Sequence, residues 1–251
     1  LWGLRMNQID KIRVLDSNES DFDDKFRQIS ASEMAVNDSV DSIVDEIIRA
    51  VRDDGDDALL NYTNRFDGRN CRKVSDLLVS CDSLEKAKME VDPNVFEALK
   101  LAAKRIQAYH QRQVQESWQY REEDGNLLGQ KITAIERVGV YVPGGKASYP
   151  SSVLMNVIPA RIAGVDEIVM VVPAPNGEIN PSVLAAAALV GVDEVWTIGG
   201  AQAVAGLAYG TQSLRRVDKI VGPGNIYVAS AKRKVFGKVG LDMVAGPSEI
   251  M

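Results

Sequence analysis

The second half of the chain alternates short apolar runs with longer helical patterns, and most of the apolar runs end in glycine or proline. The runs that we interpret as strands lie at residues 131–142, 167–172, 194–198, 219–221 and 241–244. The helices predicted between them span residues 151–163, 181–190, 201–209 and 225–235. A strand, a turn and a helix that recur in units of about 25–30 residues are typical of βαβ structure. Because the strands are apolar on both sides, we predict an open parallel α/β layer with helices on both faces.

The first half of the chain is more polar and is predicted to be mainly helical. An amphipathic helix is indicated by apolar residues spaced three and four apart: Val40, Ile43, Val44, Ile47, Ile48 and Val51. We expect Asp38 or Ser39 to cap its start and Gly55 to close its end. A shorter helix is predicted over residues 57–66, closed by a turn at Asp67-Gly68.

Three further segments complete this half. Residues 74–80 are predicted as a strand, because they are mostly apolar and contain two valines and two leucines. Pro93 suits the first turn of a long helix whose apolar side reaches Tyr109. Residues 111–126 are polar and contain a turn at Asp124-Gly125, so we interpret them as a connector or a hairpin tip.

Composition and charge argue against several classes of function. Hydrophobic content of 45% and charged content of 25% are typical of globular proteins. A net charge of −6 argues against general binding to nucleic acid or to an anionic membrane, since both need a concentrated basic surface. No apolar run approaches the ~20 residues of a membrane span, and the first residues lack the apolar segment of a signal peptide. The two cysteines, Cys71 and Cys81, are predicted to be reduced thiols.

Glycine-rich sequences at four strand ends give the first indication of a ligand site. They lie at residues 143–145, 199–200, 222–224 and 246–248. In open α/β sheets, ligands bind beyond the carboxyl ends of the strands. Glycine there lets a ligand approach the backbone, and the following helix offers free N–H groups. Each turn alone is explained equally well as a tight connection, but four turns on one edge favour a ligand site.

Four polar residues accompany these turns: Tyr141, Gln202, Asn225 and Ser248. A helix-starting asparagine is most often a cap, and a glutamine in a first turn is often solvated. The usual G-x-G-x-x-G dinucleotide fingerprint is absent, because Tyr227 occupies the position of the third glycine. The spacing therefore does not indicate which cofactor would bind.

Residues suited to acid–base or metal chemistry are few. The single histidine, His110, is predicted on a helix well before the glycine-rich region, where a packed or solvated role is the more common one. Asp242 and Glu249 lie near the last strand, but their context does not single them out as an acid–base pair. Ser248 lacks the Gly-x-Ser-x-Gly surroundings of a nucleophile elbow. One histidine and two distant cysteines cannot form a common zinc site.

Taken together, four motifs closely resemble histidinol dehydrogenase. They are residues 138–145 (VGVYVPGG), 199–203 (GGAQA), 218–225 (DKIVGPGN) and 242–249 (DMVAGPSE), in the order and spacing of that family. Residues 54–59 and 109–113 also resemble it, so the resemblance covers nearly the whole chain.

The resemblance implies a fold, an activity and a set of site residues. The family oxidises L-histidinol to L-histidine in two NAD-dependent steps through an aldehyde, with a zinc ion that holds the substrate, in a cytoplasmic homodimer. By position, Tyr141, Gln202 and Asn225 match NAD-contacting residues, and Ser248 matches a substrate contact. The implied fold class is α/β, with an incomplete Rossmann-like parallel-sheet domain after a mainly helical N-terminal region. The implied domains are residues 1–130 as part of a first Rossmann-like domain, 131–247 as a second, and 248–251 as a return into the first.

In the family, the zinc ligands and a Glu-His acid–base pair follow the last of these motifs. We therefore expect no metal ligand and no catalytic residue within this sequence, and a chain that is inactive alone. Two other interpretations stay open. One is a binding module that holds a nucleotide or presents a dimerisation surface without catalysis. The other, less favoured, is an aldehyde-dehydrogenase-like enzyme, since Cys71 and Cys81 both precede the glycine-rich layer.

Overall fold

The computed structural model of the protein describes residues 15–144 and 149–243, with side chains except those of 27–37. The described helices are α1 (Phe22–Asp54), α2 (Asp56–Asp67), α3 (Cys81–Glu90), α4 (Pro93–His110), α5 (Pro150–Ile162), α6 (Pro181–Leu189), α7 (Gly200–Tyr209) and α8 (Ile226–Val235). The described strands are β1 (Trp118–Arg121), β2 (Leu127–Gln130), β3 (Arg137–Tyr141), β4 (Glu167–Val171), β5 (Glu194–Trp196), β6 (Lys219–Val221) and β7 (Gly240–Leu241).

Five of these strands form one parallel sheet in the order β5-β4-β3-β6-β7. The first strand of the sheet, β3, is central: Tyr141 lies opposite Val171 of β4, and Val140 lies opposite Val221 of β6. The chain therefore builds the sheet outward on one side, then crosses back over β3 and builds outward on the other. The strand order reverses between β3 and β6, and in such sheets the crevice at that point is where ligands bind.

Alternate residues of the strands contribute to two separate cores, one on each face of the sheet. In β4, Val169 and Val171 join the core beneath α1, α2, α7 and α8. Ile168 and Met170 of the same strand join the opposite core, which α3 to α6 cover. When helices cover both faces of a strand, its odd and even positions both need apolar side chains. The predicted fold class is confirmed.

The helices mostly follow the sequence predictions. Asp92 accepts a hydrogen bond from the Asn94 amide at the start of α4, with Pro93 in the first turn. Gly55 (φ 59°) ends α1 and Gly68 (φ 62°) ends α2, both in the left-handed region that favours glycine.

Some boundaries were predicted wrongly. Asp38 and Ser39 do not cap α1, because that helix already begins at Phe22. Residues 74–80 do not form a regular strand: Val74–Leu77 is a 3-10 turn, and Leu78 makes a single antiparallel bridge to Trp196 of β5. The strand predicted over 131–142 is confined to β3. Residue 244, the end of the last predicted strand, lies outside the described residues.

The segment interpreted as a connector or hairpin tip contributes to a two-stranded hairpin. β1 and β2 pair antiparallel around a turn at Gly125 (φ 93°), and every residue of both strands is exposed. The division into domains at residue 131 stays a prediction, with the N-terminal helices packed onto both faces of the sheet layer. Among the described residues, we find no helix with both the length and the apolar character that crossing a membrane requires.

Candidate functional site

Tyr141 joins two of the glycine-rich turns. It is the last residue of β3 and is 3% exposed, because its side chain lies beneath α7. Its hydroxyl oxygen accepts a hydrogen bond from the Gly200 amide at 3.0 Å, which fixes the first turn of α7. Burial raises the pKa of Tyr141 to about 12; the Gly200 N–H lowers it and the nearby Asp67 carboxylate raises it. Tyr141 is therefore a neutral phenol at physiological pH.

Gln202 lies in the same first turn and is 1% exposed. Its Oε1 has no hydrogen-bond partner among the described residues. The side chain folds back over Gly200, so that a methyl group on that glycine would lie 2.7 Å from Oε1. A buried polar atom without a partner is costly, and such atoms in native proteins call for an explanation such as a ligand or a water molecule.

The turn after β6 is held against the end of β3. Gly222 has φ 106°, and a side chain there would overlap the Tyr141 carbonyl oxygen. The Gly222 amide donates to Asp242 Oδ2 at 2.8 Å, and Lys232 Nζ donates to the Gly222 carbonyl at 3.1 Å. Lys232 also forms an ion pair with Asp242 and is 5% exposed. Asp242, an acid–base candidate in the sequence, thus holds this turn.

Asn225 follows this turn and begins α8. Its Oδ1 accepts hydrogen bonds from the amides of Tyr227 and Val228, both at 3.1 Å, which is the geometry of a helix cap. The residue is exposed, and its amide nitrogen remains free to donate to a ligand at the helix N-terminus. The capping role proposed from sequence is present and is compatible with ligand contact.

Two other glycines are explained by packing within the protein. A side chain at Gly144 would overlap the Pro173 carbonyl, and one at Gly199 would overlap the Pro173 ring. These glycines let the turns after β3, β4 and β5 meet at one edge of the sheet. Their presence is therefore required by the fold, and the ligand hypothesis depends on the polar groups around them.

Asp67, which the sequence predicts only as part of a turn, also lies at this edge of the sheet. It ends α2, is 9% exposed, and accepts a hydrogen bond from the Ala174 amide at 3.2 Å through Oδ2. Burial raises its pKa, while the Ala174 N–H and Arg69 lower it. No local spacing could have indicated this contact, because 107 positions separate the two residues.

The remaining candidates lie elsewhere. Ser248 and Glu249, together with the last glycine-rich turn, lie outside the described residues. His110 ends α4, where Nδ1 bonds Gln113 Oε1 at 2.6 Å, and it lines a cleft of about 570 Å³ between α5 and residues 132–135. Cys71 is half-buried after α2, and Cys81 is exposed at the start of α3, so neither lies in a turn that follows a sheet strand.

The described part of the chain contains no group of three or more His, Cys, Asp or Glu side chains placed to hold a metal ion. The described residues therefore do not fit the zinc ion implied by the resemblance. They fit a dinucleotide better, since the turns offer backbone N–H groups, two amide side chains and the N-termini of α7 and α8.

These features define a class. A parallel sheet whose order reverses between β3 and β6, with glycine turns and helix N-termini at the carboxyl edge of that point, is typical of Rossmann-like proteins.

Comparisons with known proteins identify the family. The profile of the histidinol dehydrogenase family matches residues 30–251. The histidinol dehydrogenase of Pseudomonas savastanoi pv. phaseolicola is 58% identical over 240 residues, which are 96% of this chain and 54% of that protein. The histidinol dehydrogenase of Hydrogenovibrio crunogenus is 55% identical over 240 residues, covering 96% of this chain and 55% of that protein.

A solved structure supports the same assignment. The crystal structure of histidinol dehydrogenase from Elizabethkingia anophelis matches with a TM-score of 0.77 and 35% identity, covering 82% of this chain and 48% of that one. The chain belongs to the histidinol dehydrogenase family, as its motifs predicted. It spans about half the length of the relatives that it matches.

Proposed function

We propose that this chain provides the NAD-binding part of a histidinol dehydrogenase, which oxidises L-histidinol to L-histidine in two steps through the aldehyde. The observation that carries the proposal is the junction at Tyr141, where the ends of β3 and β6 and the start of α7 meet beside the unpartnered Gln202 amide oxygen. Membership of the family supports the choice of substrate and cofactor.

Each residue has a distinct part in this proposal. Tyr141 positions the Gly199-Gly200 turn, so that the α7 N-terminus faces the cofactor. Gln202 and Asn225 supply amide groups that hydrogen-bond to it. The chemistry that bound NAD would supply is acceptance of hydride from the substrate. Ser248 is proposed to contact the substrate, on the basis of the resemblance alone. A zinc ion is proposed only because the family uses one.

Isothermal titration of the protein with NAD tests this proposal. We expect saturable binding that weakens about tenfold in Gln202→Ala and in Asn225→Ala, since each variant loses one hydrogen bond to the cofactor. Asp92→Ala is the control, because it removes a comparable helix cap from α4, which does not follow a strand of the sheet. If NAD fails to bind at millimolar concentration, or if both site variants bind as tightly as the control, the proposal is wrong.

A cytoplasmic homodimer is proposed for the complete protein. Exposed aromatic and apolar side chains on the β1–β2 hairpin, among them Trp118, Tyr120 and Leu127, support a surface that another subunit covers. Sedimentation equilibrium of the complete protein is expected to give twice the chain mass, and a monomer at micromolar concentration would refute the proposal.

A further inference from the structure

A buried carboxylate at the carboxyl edge of the sheet has one hydrogen bond and one nearby cation, Arg69. Asp67 accepts one backbone hydrogen bond, from Ala174, and the described residues offer this carboxylate no other hydrogen bond. An asparagine would accept the same bond without the cost of desolvating a negative charge. The second oxygen, Oδ1, accepts no hydrogen bond from the described residues, so a ligand donor would complete its hydrogen bonding.

The neighbouring residues fix this carboxylate at the ends of β4 and β5. Arg69, two positions on, hydrogen-bonds the Thr197 carbonyl at 3.3 Å and also the Thr197 hydroxyl. Asp67 is near enough to Tyr141 to raise the pKa of its phenol. Asp67 thus lies at the same edge of the sheet as Tyr141 and the N-terminus of α7, although it is the last residue of α2.

An acidic residue near the end of the second strand has a known role in dinucleotide-binding sheets. In those folds an acidic residue at the end of the second strand accepts hydrogen bonds from the ribose hydroxyls, and its charge disfavours a 2′-phosphate. The second strand here is β4, and the residues that follow it, Pro173-Ala174-Pro175, include no acid. The Asp67 carboxylate accepts a hydrogen bond from the backbone of Ala174, just after β4. Asp67 therefore supplies, from α2, the acidic group that is missing at the end of β4.

We infer that Asp67 is a specificity-determining residue: its carboxylate accepts hydrogen bonds from the adenosine ribose of the dinucleotide and excludes a 2′-phosphate. The ligand class is therefore a dinucleotide with a free 2′-hydroxyl. This inference rests on the proposed function, because it assumes that the edge beside Tyr141 binds NAD.

Titration of the wild type and of Asp67→Asn with NAD and with NADP tests the inference. Asparagine keeps the size of the side chain and the acceptor for the Ala174 N–H. It removes the charge and replaces the second carboxylate oxygen with an amide nitrogen, which donates and does not accept. We expect the wild type to bind NAD at least tenfold more tightly than NADP. In Asp67→Asn, NAD binding should weaken about tenfold while NADP binding holds or improves, so that the preference narrows.

Asp218→Asn is the matched control. Asp218 also accepts backbone hydrogen bonds, from Glu136 at 3.1 Å and Arg137 at 2.9 Å, but at the amino end of β3. A purely structural role for Asp67 would change both dinucleotides equally, as we expect for Asp218. A wild type that binds NAD, with an unchanged preference in Asp67→Asn, would overturn the inference and leave the proposed function standing. A wild type that binds neither dinucleotide overturns the proposed function and this inference with it.

A second measurement does not depend on the folding of a variant. The wild type should bind 5′-AMP at least tenfold more tightly than adenosine 2′,5′-bisphosphate, because the two differ only in the excluded 2′-phosphate. Equal affinities for the two nucleotides would contradict the inference.

Discussion

Replacing Gly222 with alanine adds one methyl group where the strand order reverses. Gly222 has φ 106°, which residues with a side chain rarely adopt. The added Cβ would lie 3.1 Å from the carbonyl carbon and 3.3 Å from the amide nitrogen of Tyr141, and closer still to its carbonyl oxygen. Because these atoms are backbone, the overlap is relieved only if β3 and β6 move apart.

The magnitude follows from comparison with Gly237. That glycine has φ 88°, but a side chain there would meet no atom of the described residues within 4 Å. Gly237→Ala should cost only the backbone penalty, about 1–2 kcal/mol. Gly222→Ala should cost this penalty plus roughly 1–3 kcal/mol for crowding in a packed region. We therefore expect a total loss of unfolding free energy of about 2–5 kcal/mol, which lowers Tm by roughly 10 °C in a protein of this size.

Urea unfolding followed by far-ultraviolet circular dichroism measures both losses. The m-value should be unchanged in each variant, so that the midpoint reports stability directly. Similar losses in Gly222→Ala and Gly237→Ala would refute the claim that close approach of the two strands, and not the backbone angle alone, requires glycine.

Three further variants test the groups around this junction. Lys232→Met should lower the free energy of unfolding by about 3 kcal/mol. This is near the lower limit for breaking a buried ion pair, because Asp242 is 28% exposed. A loss below about 1 kcal/mol in urea unfolding would contradict the expectation. Tyr141→Phe should lower the free energy of unfolding by about 1–2 kcal/mol, because the Gly200 amide loses its acceptor. The control Tyr120→Phe should change stability little, since Tyr120 is exposed. Equal losses in the two variants would refute the contact. Since the pKa of Asp67 is raised in the folded protein, its stabilising contribution is present below pH 3.8, its ordinary value, and is lost as pH rises through the folded pKa. Asp67→Asn should accordingly be at least as stable as the wild type at pH 7 and lose that advantage near pH 3.5; a variant less stable at pH 7 would count against the assignment.

The strand and helix pattern could be predicted because it is local. Most sheet strands are short apolar runs followed closely by glycine or proline, and β6 was predicted at its observed limits. The start of α1 was missed, although Phe22, Phe26, Ile29 and Val36 continue the apolar spacing back from Val40; the polar Glu33 interrupts it. Residues 74–80 have strand composition, yet they pair with β5 only through the bridge at Leu78 and the hydrogen bond of the Val79 amide, which depend on the tertiary fold.

The site could be predicted only in part, for the same reason. Gln202 and Asn225 follow their turns directly, so their place at the carboxyl edge could be expected from sequence. The hydrogen bond from Gly200 to Tyr141 spans 59 positions, and the bond from Ala174 to Asp67 spans 107. Contacts between residues so far apart cannot be predicted from the spacing of neighbouring residues. The role of Lys232 was missed likewise, because a lysine in the last turns of a helix is ordinarily exposed.

The central claim is that a dinucleotide binds where the strand order reverses, between β3 and β6. Amide chemical shifts of the isotopically labelled protein, recorded during titration with NAD, test it most directly. The account predicts that the largest changes fall on Gly199, Gly200, Gly222, Gly224 and Asn225, and saturate with NAD concentration. Changes centred on the cleft beside His110, or no change at millimolar NAD, would contradict it.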